Sequence, residues 1–219
     1  MAAFASRPAQ SPSADAHLGY GMEQFHHPRP VRIRDGALMC PTPQRELLLR
    51  GLTGRVAELG AGDGVKLTCY PAQVQEITLV EEDPFLLEIA RAAAADIPVA
   101  AHILAALPAN VPVPDGVFDA VVCSLVLCSA PDPQTVLTEA RRILRPGGEL
   151  RFYEHVRSSN PALALTEAML TPLWSRAAGG CHPARDTLSI IRQAGFTVQR
   201  VHRFAFDHVS HVLGTAHPV

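Results

Sequence analysis

The sequence predicts an α/β protein built on a parallel sheet wound by right-handed crossovers. Three observations carry this. Short apolar runs alternate with segments of helical period from residue 55 onward. Residues 118–125 are almost wholly apolar and β-branched, as a strand buried on both faces must be. A glycine-rich loop, Gly60-Ala61-Gly62-Asp63-Gly64, directly follows the first apolar run. Alternation at this spacing implies parallel strands joined by helices.

Each element follows from its own residues. Residues 44–50 form a short helix ending at Gly51, and 55–59 a strand running into the glycine loop. A second strand, 77–80, stops at Glu81-Glu82-Asp83-Pro84. Pro84 suits the first turn of a helix, where its missing N–H costs nothing, and 85–95 carries a helical apolar face. Residues 99–104 form a third strand and 118–125 a fourth. Apolar residues at 136, 137, 140, 143 and 144 give a one-sided helix whose last turn gathers Arg141, Arg142 and Arg145. Pro146-Gly147-Gly148 is expected to stop that helix before a fifth strand, 150–156. A helix at 187–194, capped by Asp186 and ended by Gly195, leads to strand-like runs at 196–201 and 209–215.

Composition narrows the class. With 219 residues, 47% hydrophobic and 18% charged, the chain can bury a sizeable core within one domain. The expected organisation is a disordered tail over 1–17 and a single domain over 18–219. Within that domain, 18–43 would form a cover and 157–187, an irregular stretch, a lid. A formal charge of −2 offers no electrostatic case for nucleic acid or an anionic membrane. The longest near-apolar run, 120–130, is about half of what a membrane helix needs. Five cysteines at 40, 69, 123, 128 and 181 form no C-x-x-C pair, so neither a zinc motif nor a disulfide framework is expected. A reducing cytoplasm is the simplest setting, and the sequence leaves the oligomeric state open.

The glycine loop raises the question of its ligand. Its glycines sit at 60, 62 and 64, and Val65 stands where a dinucleotide fingerprint needs its third glycine. No Gly-Lys-Ser/Thr follows, which excludes a phosphate-binding P-loop. Glu81, 21 residues after Gly60 at the end of the next strand, can accept from ribose hydroxyls, or simply belong to a solvated acidic turn. Glu58 and Asp63 flank the loop and would repel pyrophosphate, but suit a ligand carrying ammonium and sulfonium charges, namely S-adenosylmethionine.

On the ordered residues AELGAGDG, ITLVEEDP, PDGVFDAVVCSLVLCS and ILRPGGELRFYEHV, the chain resembles the class I S-adenosylmethionine-dependent methyltransferases from about residue 54 to 156. VLCSAPDP, RFYEHV, Trp174 and GGCHPARDT extend the likeness over most of 43–217. There it is similar to the small alkyl-thiol methyltransferases of animal membranes and their soluble bacterial relatives, whose animal members carry an N-terminal anchor not expected here. The resemblance implies a Rossmann-like seven-stranded sheet, helices on both faces and the last strand antiparallel. It also implies that Glu58, Gly60, Ala61, Gly62 and Gly64 shape the methionine end of the cofactor. Glu81 would hold its ribose, Glu82 would lie beside adenine, and Ser124 and Leu125 would end the fourth strand beside it. Relatives place an acid before a Leu-Pro pair to meet the adenine amino group, whereas HILAALP has none.

The implied reaction is methyl transfer to sulfur, nitrogen or oxygen of a small molecule, with thiol favoured. Two alternatives remain: a cyclisation or rearrangement without net methylation, and a catalytically silent partner subunit. His155 and Tyr153 are the candidate catalytic residues, His155 equally suited to fixing the following loop. Tyr20, Trp174, Cys181, His182 and Arg185 are candidates for the acceptor wall, with Trp174 also suited to packing. The Tyr20 region is either a cover or a mobile tail. No metal is expected, because no third ligand stands at suitable spacing from Cys181-His182.

Overall fold

The computed structural model describes residues 43–177, 179–206 and 209–219. The expectations for the 1–17 tail, the 18–43 cover and Tyr20 lie outside them. Thirteen elements succeed one another, of which one is a 3-10 turn at Leu67–Cys69: α1 (Pro43–Leu49), β1 (Gly54–Leu59), β2 (Val74–Glu81), α2 (Pro84–Ala95), β3 (Ala100–Ala105), β4 (Phe118–Ser124), α3 (Pro133–Ile143), β5 (Leu144–His155), α4 (Pro161–Ala177), α5 (Thr187–Gln193), β6 (Phe196–Phe206) and β7 (Val209–Pro218). The seven strands form one sheet in the order β3-β2-β1-β4-β5-β7-β6. Strands β1 to β5 pair in parallel, and β7 runs antiparallel to both β5 and β6.

Alternation along the central strands divides the core in two. Ala57, Leu59, Val121, Cys123, Leu150 and Phe152 face one way and pack with α3 and α5. Val56, Ile77, Leu79, Ala120 and Val122 face the other way, with Leu48 and Leu49 of α1 and Ala90 of α2. Both sheet faces are therefore covered, which explains why β4 is apolar without alternation. Asp83 and Asp132 each accept from backbone N–H groups at the starts of α2 and α3, where a proline occupies the first turn. Asp186 caps α5 by accepting from Ser189.

Five elements differ from the sequence reading. β2 begins three residues early because its ladder with β1 includes Glu76 and reaches Val74 across an irregularity at Gln75. Pro146-Gly147-Gly148 does not separate helix from strand; β5 starts at Leu144 and carries the triplet as an irregularity against β4. Gly148 is needed there, since a Cβ would come within 3.0 Å of the carbonyls of Arg145 and Asp119. β6 and β7 are longer than their apolar runs, because each completes its ladder with the other. The stretch 157–187, expected to be irregular, contains the 17-residue α4, started by Asn160 accepting from Ala162 and Leu163. No residue of α4 is buried, and Pro172 lies inside it, so no one-sided period announces it. Among the described residues no helix is long and apolar enough to cross a membrane.

Candidate functional site

The chain leaves β1 at the centre of the sheet, where the next strand in sequence lies on one side and β4 on the other. This is the point at which strand order reverses, and it is where open α/β sheets bind ligands. Gly60, Gly62 and Gly64 all have positive φ, at 63°, 63° and 72°. Their surroundings separate their roles. A Cβ at Gly60 would meet Val126 at 2.6 Å, and one at Gly64 would crowd Leu67, Ala90 and Ala93, so these two let the protein pack against itself. A Cβ at Gly62 would meet nothing within 4 Å. Gly62 borders open space and forms the rim of the loop, while Ala61 beside it is buried in the core.

Glu81, 2% exposed, clasps that rim. Its Oε2 accepts from the Gly62 N–H at 2.8 Å, and its Oε1 from Glu82 and Asp83 at 2.9 and 3.0 Å. A carboxylate offers about four lone-pair sites, so one on Oε2 remains for a ligand hydroxyl. Glu82 beside it has its pKa raised by burial and by the charges of Glu81 and Asp83. The Ala106 N–H, just before Leu107-Pro108, donates to the Glu81 carbonyl at 3.1 Å.

Glu58 is not the free charge that its place before the loop suggests. It is 1% exposed, and Lys66 Nζ lies 2.7 Å from its Oε1, an ion pair without hydrogen-bond alignment. The Tyr70 hydroxyl donates to Oε2 at 2.7 Å. Burial and then the Glu58 charge push the Tyr70 pKa well up, so it stays a donor. Asp63 accepts from Val65 within the loop. The negative charge facing a ligand is therefore smaller than the sequence alone implies, because Lys66 balances Glu58 inside the protein.

At the end of β4, Ser124 is buried, and just past it Leu125 has φ 61°, the left-handed region that side chains rarely adopt. Its N–H is held by the Tyr153 carbonyl at 2.7 Å. The next three N–H groups, of Val126, Leu127 and Cys128, converge on the buried Glu154 carboxylate, each at 3.0 Å. Burial raises the Glu154 pKa, and these three donors offset part of that rise. Glu154 is a functional-region residue that sequence reasoning passed over. Its signal was an acid one residue inside the end of a central strand.

Three side chains meet on this scaffold. His155 Nδ1 lies 2.9 Å from Cys181 Sγ and 3.4 Å from Cys128 Sγ, and the two sulfurs are 3.9 Å apart. The Cys181 pKa is lowered to about 5, first by the hydrogen bond with Cys128 and then by His155, against the opposing effect of burial. Burial drives Cys128 the other way, well above its usual range. The fold thus supplies what linear spacing could not: a third ligand-type side chain beside Cys181, so the argument used against a metal no longer holds.

The remaining candidates have defined surroundings. Tyr153 is buried in a ring stack with Phe204 and His211, at centroid distances of 5.8 and 5.5 Å. Arg185 spends its guanidinium on the carbonyls of Leu127 and Ala130, bracing the β4–α3 loop. The His182 backbone N–H donates to the Cys128 carbonyl at 2.8 Å. Trp174, on α4 and 41% exposed, contributes to holding the Cys181 pKa down.

With this geometry in place, comparison with known proteins is direct. Residues 57–152 match a methyltransferase domain family. That match and the seven-stranded sheet with an antiparallel strand next to β5 make the chain similar to the class I S-adenosylmethionine-dependent methyltransferases, whose Rossmann-like fold it has. More particularly, it is similar to the thiol S-methyltransferase TMT1B of Rattus norvegicus, 34% identical over 155 residues, which is 68% of this chain and 63% of that protein. The chain therefore spans less than two thirds of that relative's length. Among solved structures, an S-adenosylmethionine dependent methyltransferase from Mesorhizobium loti aligns over 83% of this chain and 98% of its own, with a TM-score of 0.60 and 19% identity. The [4+2]-cyclase SpnF aligns over 80% of both chains, with a TM-score of 0.62 and 18% identity.

The cofactor of this class fits the residues present. Gly62 opens onto space that a Cβ would enter freely, and Glu81 keeps one acceptor position beside it.

Proposed function

We propose that the chain transfers the methyl group of S-adenosylmethionine to a heteroatom of a small molecule, with thiol sulfur favoured. The observation that carries this is the Glu81 clasp on Gly62 at the strand-order reversal. Bound there, the cofactor supplies an electrophilic methyl carbon. Glu81 would take a ribose hydroxyl on its spare lone pair, with Glu82 beside adenine. Glu58, Gly60, Ala61, Gly62 and Gly64 would shape the methionine end, and Ser124 and Leu125 the wall from β4. The task of the protein is then to align the acceptor and exclude water.

Support for a thiol acceptor comes from the relative named a thiol S-methyltransferase and from the sulfur-rich cluster at the ends of β4 and β5. In this reading His155 positions or deprotonates the acceptor, and Trp174, Cys181 and His182 line its approach. Tyr153 and Arg185 act by packing and bracing rather than by contact, in line with their present partners.

Two measurements test it. Glu81→Gln removes the charge-assisted bond to ribose, which is worth about 1.5–3 kcal/mol, so calorimetry should show cofactor affinity lowered at least tenfold. Unchanged affinity would overturn the ribose assignment. A screen of alkyl thiols, amines and phenols, read as S-adenosylhomocysteine released, should show thiols turned over fastest. Product formed without S-adenosylhomocysteine would instead support a rearrangement of the kind that the cyclase fold relative brings to mind.

A further inference from the structure

Cys128, His155 and Cys181 come from three separate parts of the chain: the β4–α3 loop, the last residue of β5, and the segment after α4. Their ligand atoms all lie within 4.8 Å of one another. A tetrahedral zinc ion with bonds of about 2.3 Å to sulfur and about 2.05 Å to nitrogen sets its ligands about 3.8 Å apart for two sulfurs and about 3.6 Å for nitrogen and sulfur. The sulfurs here are 3.9 Å apart and Nδ1 stands 3.4 Å from Cys128. Only the 2.9 Å contact between Nδ1 and Cys181 needs to open, by about 0.7 Å, which a small rotation of the Cys181 side chain provides.

The ligands are also held from behind. The Cys128 N–H donates to Glu154 and its carbonyl accepts from His182, both near 3 Å. The His155 carbonyl accepts from the Thr187 hydroxyl at 3.0 Å. Fixed backbone on either side of a ligand lowers the cost of arranging it around an ion. The two thiols and one imidazole are donors that suit zinc better than calcium or magnesium. Among the described residues no fourth His, Cys, Asp or Glu joins the group. Three protein ligands with a vacant fourth position is the pattern of sites that bind a reactant rather than only brace a fold.

We propose that Cys128, His155 and Cys181 form a three-ligand site for zinc or a chemically similar divalent cation, whose fourth position receives a thiol as its thiolate. Loss of the thiol proton to solvent accompanies formation of the metal–sulfur bond, so no oxidant or reductant is involved. The metal half of this inference stands by itself; the thiol half rests on the acceptor reading above.

The test is a cobalt titration of reduced, metal-free protein, with cobalt standing in for zinc. Wild-type protein should show the visible bands of a tetrahedral ion and sulfur-to-cobalt charge transfer in the near ultraviolet. Cys181→Ser should lower the charge-transfer intensity by about half, since one of two thiolates is lost. Cys69→Ser, which lies outside the cluster, should leave it unchanged. Absence of a tetrahedral spectrum in the wild type, or an unchanged one in Cys181→Ser, overturns the site. Should Cys181→Ser fail to fold, alkylation of the wild type decides: zinc should protect Cys128 and Cys181 while Cys69 reacts as before, and equal alkylation with and without zinc counts against the site. Added alkyl thiol should then raise the charge transfer about one and a half times as a third sulfur binds, and no rise overturns the thiol half. A cobalt site in a protein that methylates only amines or phenols would refute the acceptor reading and leave the metal site standing.

Discussion

Replacing Glu154 with glutamine should cost this protein more stability than its size change suggests. The side chain is wholly buried, and its two oxygens receive three backbone N–H groups from consecutive residues. Oε1 takes Val126 and Leu127, and Oε2 takes Cys128. In the best orientation of the amide, its oxygen keeps the first two bonds, and its NH2 then faces the Cys128 N–H, donor against donor. One charge-assisted bond is lost and a buried donor is left unmatched, a cost of about 2–3 kcal/mol. Glu154→Ala leaves all three donors unmatched, which at about 1–3 kcal/mol each approaches the 5–15 kcal/mol total of an ordinary domain, less what entering water recovers. Urea unfolding, followed by circular dichroism with the slope held common, measures both. If Glu154→Gln comes within about 0.5 kcal/mol of wild type, the loop after β4 does not depend on this carboxylate and the reasoning fails.

Two further predictions concern buried acids elsewhere. Glu139 accepts from both Nε and Nη2 of Arg142 and from the Val111 N–H, and its pKa is lowered from 4.5, chiefly by the Arg142 hydrogen bond. A lowered folded-state pKa contributes stability that is full above the unfolded value and lost as pH falls through the folded one; Glu139→Gln should therefore be about 1–2 kcal/mol less stable than wild type at pH 7, with the gap closing well below pH 4 in parallel urea titrations. At Glu58, Lys66→Met should cost about 3–5 kcal/mol by leaving a buried carboxylate uncompensated, and Tyr70→Phe only about 1–2 kcal/mol, so thermal melts that reverse this order would refute the ion pair as the dominant partner.

The sheet was legible because its signals are local and agree with one another. Prolines after Asp83 and Asp132 mark helix starts, and the apolar run 120–123 of β4 marks the centre of the sheet. What escaped lacked a local signal. β2, β5, β6 and β7 outrun their apolar runs because backbone pairing with a neighbour extends them, and a neighbour in space is not a neighbour in sequence. α4 escaped because its apolar residues, among them Leu165, Met169 and Leu173, are exposed rather than gathered on a buried stripe.

The cofactor side of the site was legible in position but not in charge. Reading Glu58 and Asp63 as bare carboxylates overlooked Lys66, three residues beyond Asp63, which turns back to neutralise Glu58. The cluster opposite was missed for a different reason. Its members are 27, 26 and 53 residues apart, so no metal-motif spacing applies. Yet β4 and β5 are adjacent and parallel, with Ser124 paired to Tyr153, so residues just past Ser124 and Tyr153 must lie side by side. Cys128 and His155 meet that condition from the predicted strand order alone. In a parallel sheet, then, ligand-type residues should be sought at the carboxyl ends of neighbouring strands and not along the chain. Applied here, that search finds two of the three ligands, and only Cys181, delivered from beyond the unheralded α4, requires the structure.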